Sequence, residues 1–124
     1  MTTCFEAVVN AVGREVPEFI SGKTLIFFGP NVPCELQEVS VSVTVSTITS
    51  SPVLVPGHLI HIGRSVLQIR EVGTVAEENL RLLTHLVLVT SDQQILPGQV
   101  RVVGDWSSLN DIGPGAVMKV MLAD

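Results

Sequence analysis

The sequence predicts an all-β protein: a mainly antiparallel, barrel-like domain of seven to nine short strands with one short helix. Three observations predict it. Val39, Val41, Val43 and Val45 alternate with Ser40, Ser42, Thr44 and Ser46, the two-residue period of a strand with one apolar and one hydroxyl face. Pro-Gly pairs recur just ahead of apolar runs: Pro56-Gly57 before 59–62, Pro97-Gly98 before 100–103, and Pro114-Gly115 before 117–122. Proline presets φ at the second position of a type II turn and glycine supplies the positive φ of the third. Only the stretch 72–88 stops reading as strand and turn and reads as helix.

Taken in order, residues 2–12 form a first strand, with Phe5 on one face and Val8 on the other, ended by Gly13. The segment 14–22 carries Pro17 and Gly22 and reads as a loop with one helical turn over 17–20. A short apolar strand over 23–28 is broken by Gly29-Pro30-Asn31-Val32-Pro33. The Val/Ser strand spans 38–46. Ile48 falls on its hydroxyl face, which predicts a bulge or strand end near Thr47. Strands at 59–62 and 66–72 flank Gly63-Arg64-Ser65. Thr74 and Glu77 have the spacing of a capping box. The helix over 75–83 then turns Val75, Ala76, Asn79, Leu80 and Leu83 to one face and leaves Glu77, Glu78 and Arg81 to water. Strands at 86–90, 100–103 and 117–122 complete the chain. The Pro-Gly units are unevenly spaced, so they do not make a solenoid. Strands that neighbour one another in sequence favour antiparallel pairing.

A chain of 124 residues predicts one domain, 1–124, able to bury a core. Hydrophobic residues make up 46% and charged residues 15%, too few charges for a disordered tail. No apolar run reaches the length of a membrane span. Met1-Thr2-Thr3-Cys4-Phe5-Glu6 lacks the basic region of a signal peptide, which makes the cytoplasm the default location. The net charge is −5, and the seven basic residues are scattered singly, against a nucleic-acid surface. Cys4 and Cys34 read as reduced, buried thiols. No nucleophile elbow, phosphate-binding glycine loop, Cys-x-x-Cys or zinc spacing is present, so no metal and no cofactor is expected.

The run VGTVAEENLRLLTHLVL, followed by ILPGQVRVVG and DIGPGAVMKV, resembles the glucitol/sorbitol-specific enzyme IIA component of the bacterial phosphoenolpyruvate-dependent sugar phosphotransferase system. The resemblance is strong over 72–120 and collinear before it. It implies a barrel-like phosphocarrier that accepts a phosphoryl group from HPr and passes it to the IIB domain of the membrane-bound IIB/IIC permease. It leaves open whether the chain is a homo-oligomer.

Such a carrier needs a neutral imidazole that attacks phosphorus, positioned by a second hydrogen bond. The resemblance places the acceptor histidine on the strand after Leu36-Gln37-Glu38, where a gap-free reading finds Val43. The chain's histidines are His58, His61 and His85. His85 alone matches a family histidine, following Asn79-Leu80-x-x-Leu83, and is the candidate acceptor. Its plainer reading is a capping or core residue at the helix–strand junction. His58 and His61 are an odd number of residues apart, so a strand sends them to opposite faces; His58 reads as exposed and inert, His61 as half-buried. Glu77 and Glu78 diverge on the helix and read as a cap and a solvated charge. Trp106 reads as a lid on the barrel end, a partner contact, or core. Three functions follow: an active IIA phosphocarrier, a relative that kept the barrel as a binding or regulatory module because Val43 replaced the acceptor, or an unrelated ligand-binding barrel.

Overall fold

Strands β1 (Thr3–Val12), β2 (Thr24–Phe28), β3 (Val41–Ile48), β4 (Leu59–Ile62), β5 (Ser65–Val72), β6 (Leu86–Val89), β7 (Gln99–Gly104) and β8 (Val117–Met121) close a barrel in the order β1-β3-β2-β6-β7-β5-β4-β8. The structure is a computed structural model that describes residues 2–90, 92 and 94–122. Six neighbouring pairs are antiparallel; β2–β3 and β6–β7 are parallel. A hairpin cannot join parallel neighbours, and a 3₁₀ segment, Cys34–Val39, lies in the crossover from β2 to β3.

Alternation along each strand fills the interior, as in small closed barrels. Phe5, Ala7 and Val9 of β1, Leu25 and Phe27 of β2, Val41 and Val43 of β3, and Ile60 and Ile62 of β4 are buried. So are Leu67 and Ile69, Leu86 and Leu88, Val100 and Val102, and Met118 and Val120 on the other four strands. Trp106 joins this core, with the Lys23 ammonium 5.9 Å above its ring. It is therefore packing, not a lid.

The barrel is two copies of one pattern. Val41 lies between Val12 and Phe27 in register, and Val100 lies between Val72 and Leu88. Helix α1 (Val16–Ser21) follows β1 as helix α2 (Ala76–Leu83) follows β5. Gly13 donates to the Ser40 carbonyl at 2.9 Å and Gly73 to the Gln99 carbonyl at 2.8 Å. A Cβ on either glycine would meet backbone, at 2.4 Å from the Gln37 oxygen and 2.2 Å from the Pro97 oxygen, so no side chain fits there. Gly57 donates to Ile69 while His58 accepts from it; Gly115 and Ala116 treat Val9 the same way. Among the described residues, Lys23 and Thr84 are the non-glycine residues with positive φ, at 60° and 52°. Each stands four residues before the matched Phe27 and Leu88. The last strand of each half pairs with the other half: β4 with β5, and β8 with β1.

Several local expectations change. Among the described residues there are two α-helices rather than one, because Val16 and Ile20 give the first segment a buried face. β3 begins at Val41; Val39 belongs to the 3₁₀ segment and is half-buried. The expected bulge lies at Ser46, between the pairs Glu6↔Thr47 and Ala7↔Val45. Gly57 and Gly115 take the positive φ their turns require, at 97° and 92°. Gly98 does not, although the Gln99 amide closes that turn on the Leu96 carbonyl at 3.0 Å. Cys4 is buried, its Sγ–H directed at the Val120 carbonyl, and burial pushes its thiol pKa up. Cys34, expected to be buried, is exposed because it opens the 3₁₀ segment on the surface.

Candidate functional site

Val43 is 1% exposed and points into the barrel. It carries no lone pair and meets no solvent, so no phosphoryl chemistry occurs there. The chemistry-bearing side chains lie elsewhere.

His85 is placed by the end of α2. Thr84 takes the left-handed conformation, which stops the helix and swings the chain toward β6. The His85 amide donates to the Asn79 carbonyl at 3.2 Å, so its backbone caps the helix as expected. Its side chain does something different. Nδ1 lies 3.3 Å from the Phe27 carbonyl of β2, and the ring stacks on Phe28 with centroids 4.1 Å apart and planes 20° from parallel. A carbonyl can only accept, so Nδ1 carries a hydrogen, and in the neutral ring the lone pair lies on Nε2. The ring is half-buried. It is thus held in one plane, and its neutral form in one tautomer, with the lone pair on Nε2.

His58, expected to be exposed and inert, is half-buried and engaged. Its Nδ1 lies 3.0 Å from the Val53 carbonyl, which fixes the same tautomer. It precedes β4 rather than lying on it. His61 is half-buried as expected, between Lys119 of β8 and Val66 of β5, and its Nε2 is buried without a hydrogen-bond partner. The structure does not bring these three rings together as a ligand set: among the described residues no cluster could hold a metal ion.

Glu77 is neither cap nor solvated charge. No side chain caps α2, so Thr74 and Glu77 form no capping box. Tertiary contact wins over the local motif: Glu77 Oε2 accepts the Val53 amide at 3.0 Å and Oε1 the Leu54 amide at 2.8 Å. Arg81 donates through Nε to Glu77 at 2.9 Å and through its two terminal nitrogens to the Thr49 and Ser51 carbonyls at 3.0 and 2.7 Å. The pair pins the long β3–β4 connection, with buried Val53 and Leu54, against the helix. The same connection supplies the carbonyl that orients His58.

Leu83 was expected on the buried face of α2, yet only Ala76 and Leu80 are buried there. Leu82 and Leu83 are 73% and 58% exposed. They form one wall of a cavity of about 480 Å³, with Phe28, Gly29, Pro30, Asn31, Pro33 and Thr84 around it. Sequence reasoning missed this groove and the Phe28–His85 stack. Phe28 reads as one more apolar strand residue, and nothing local marks its ring as the support of a histidine far along the chain.

The fold recurs in a protein described as a PTS system IIA component from Enterococcus faecalis V583, at a TM-score of 0.74 and 21% identity, covering 94% of this chain and 99% of that one. The family model for the PTS system glucitol/sorbitol-specific IIA component matches residues 4–118. Proteins described as PTS system glucitol/sorbitol-specific EIIA components, from Shigella flexneri and from Escherichia coli strain K12, are each 30% identical over 121 residues, 96% of this chain and 95% of theirs. The chain belongs to the glucitol/sorbitol-specific IIA family of the phosphotransferase system. Among the described residues no helix is long and apolar enough to cross a membrane.

Proposed function

We propose that this chain is a single-domain cytoplasmic IIA phosphocarrier. It takes a phosphoryl group from phosphorylated HPr and delivers it to the IIB domain of a glucitol/sorbitol permease. Family membership supports the relay, and the held tautomer of His85 supports the acceptor. The Nε2 lone pair attacks phosphorus on the donor; the donor's P–N bond breaks, its electron pair returns to the donor imidazole, and a new P–N bond forms on His85. The proton on Nδ1 stays in place, shared with the Phe27 carbonyl. On the IIB side a nucleophile of that domain attacks the phosphorus and forms the new bond, while the His85 P–N bond breaks and its electron pair returns to Nε2, regenerating neutral His85. Proximity alone could not do this at Val43, because positioning accelerates only a reaction whose nucleophile exists.

His58 is the second reading, favoured by its own Nδ1 contact to Val53 at 3.0 Å. The test is incubation with phosphoenolpyruvate, enzyme I and HPr, followed by intact-mass measurement of wild type, His58→Ala, His61→Ala and His85→Ala. Loss of the phosphoryl mass only in His85→Ala is the expected result. Loss only in His58→Ala transfers the role to that residue. Absence of any label in wild type would sink the carrier reading and leave the barrel as a binding or regulatory module.

A further inference from the structure

We propose that the groove beside His85, walled by Leu82 and Leu83, is the docking surface for the phosphoryl donor protein, whose contacting face carries an apolar centre and a basic rim. The identity of this occupant rests on the phosphocarrier reading; the surface itself rests on four observations.

Leu82 and Leu83 are the first. They stand 73% and 58% exposed at the C-terminal turn of a helix whose buried face is complete without them. Second, the fold does not require them. The left-handed residues Lys23 and Thr84 are equivalent in the two halves of the barrel, so Leu82-Leu83 correspond to Ser21-Gly22. The same turn is therefore built elsewhere in this molecule from a hydroxyl and a hydrogen. Two solvated leucines there carry a cost in solubility that a contact would remove. Third, the groove is continuous with the proposed acceptor. Phe28, on which His85 stacks, and Thr84, the residue before His85, both line it. A protein seated on Leu82 and Leu83 would hold its own reacting group close to that ring. Fourth, the charges next to the wall are acidic. Glu78 is exposed one helical turn before Leu82, on the same face, and exposed Glu35 follows the lining residue Pro33 by two positions. Arg81, the basic residue of α2, is turned away and engaged with Glu77, Thr49 and Ser51. An apolar centre with a rim of one sign selects a partner of the opposite sign.

The experiment measures initial phosphorylation rates of the full chain against the concentration of phosphorylated HPr, and separately with phosphoramidate, a small donor that needs no docking surface. The variants are Leu82→Ser/Leu83→Ser, Glu78→Lys and His85→Ala. The double serine variant is expected to fold as wild type, because both side chains are exposed. It should raise KM for phosphorylated HPr by roughly tenfold or more and leave labelling by phosphoramidate unchanged. Glu78→Lys should weaken the same step, most at low salt. An unchanged KM in the double variant overturns the proposal. So does a concentration-dependent dimer that the double variant abolishes, which would assign the groove to a second copy of this chain. If His85→Ala keeps its label while the leucine variant raises KM, the surface stands and the acceptor assignment falls. If wild type takes phosphate from neither donor, the carrier reading fails, and amide chemical shifts on adding unphosphorylated HPr decide the surface: changes at Leu82–Leu83 support it and their absence overturns it.

Discussion

Glu77 separates a local from a tertiary account of α2. If it were half of a capping box, Thr74→Ala would cost about 1 kcal/mol and Glu77→Ala would cost little more. The structure orders the two the other way. Truncating Glu77 strands the amides of Val53 and Leu54, residues 0% and 5% exposed, which water cannot readily reach. Each of the two buried amides left without an acceptor costs about 1–3 kcal/mol, so Glu77→Ala should lose roughly 2–6 kcal/mol. Glu77→Gln keeps one acceptor oxygen and should lose about half of that. Thr74→Ala should stay within about 0.5 kcal/mol of wild type, since its hydroxyl caps nothing. The ion pair with Arg81 contributes only a small part, because both side chains are about a third exposed, 29% and 32%. Urea unfolding followed by circular dichroism, with the slope unchanged between variants, measures all three. A Glu77→Ala variant within about 0.5 kcal/mol of wild type, or a costlier Thr74→Ala, would refute the clamp.

Two further outcomes follow from burial and charge. Val43→Ser removes a buried isopropyl group and leaves a hydroxyl in the core, a loss of about 3 kcal/mol that should lower the urea midpoint; Ser42→Val, on the outer face, should be nearly neutral, and Val43→His should destabilise without creating a labelled site. Asp105 accepts the Ser107 amide at 2.8 Å, and its hydrogen bonds with Ser107 hold its carboxyl pKa below the ordinary 3.8. Its stabilising contribution is therefore present above pH 3.8 and lost as pH falls through the lower folded value, so the stability difference between wild type and Asp105→Asn should shrink on acidification through that range.

What the sequence made legible is what periodicity encodes. The Val/Ser alternation put Val41 and Val43 in the core, and the Pro-Gly turns located β4, β7 and β8. The eight strands follow from runs long enough to show their period. Pairing was another matter. Sequence neighbours were expected to lie antiparallel, yet β2–β3 and β6–β7 are parallel, because each half folds its third strand between its first and second. The duplication left only thin traces, Val12-Gly13 against Val72-Gly73 and Pro56-Gly57 against Pro114-Gly115, with the intervening side chains replaced. For the candidate site the sequence nominated one residue, His85, through family likeness. Its support on Phe27 and Phe28, the clamp of Glu77 on Val53 and Leu54, and the engagement of His58 all join positions distant in the chain, and no local pattern announces them.

The exchange of final strands between the two halves governs how this molecule can be made. β8 stands between β1 and β4, so a chain halted on the ribosome before residue 117 has not one open edge but two. Within the barrel β1 waits for β8, and loop closure between two strands so far apart in sequence must precede the contacts that reward it. Until then β1 and β4 offer unpaired backbone to any neighbouring nascent chain. The same exchange acts in reverse once folding is complete. Neither half can separate from the other without surrendering a strand, so partial opening along the division between the repeats is suppressed and the barrel should come apart as one cooperative unit.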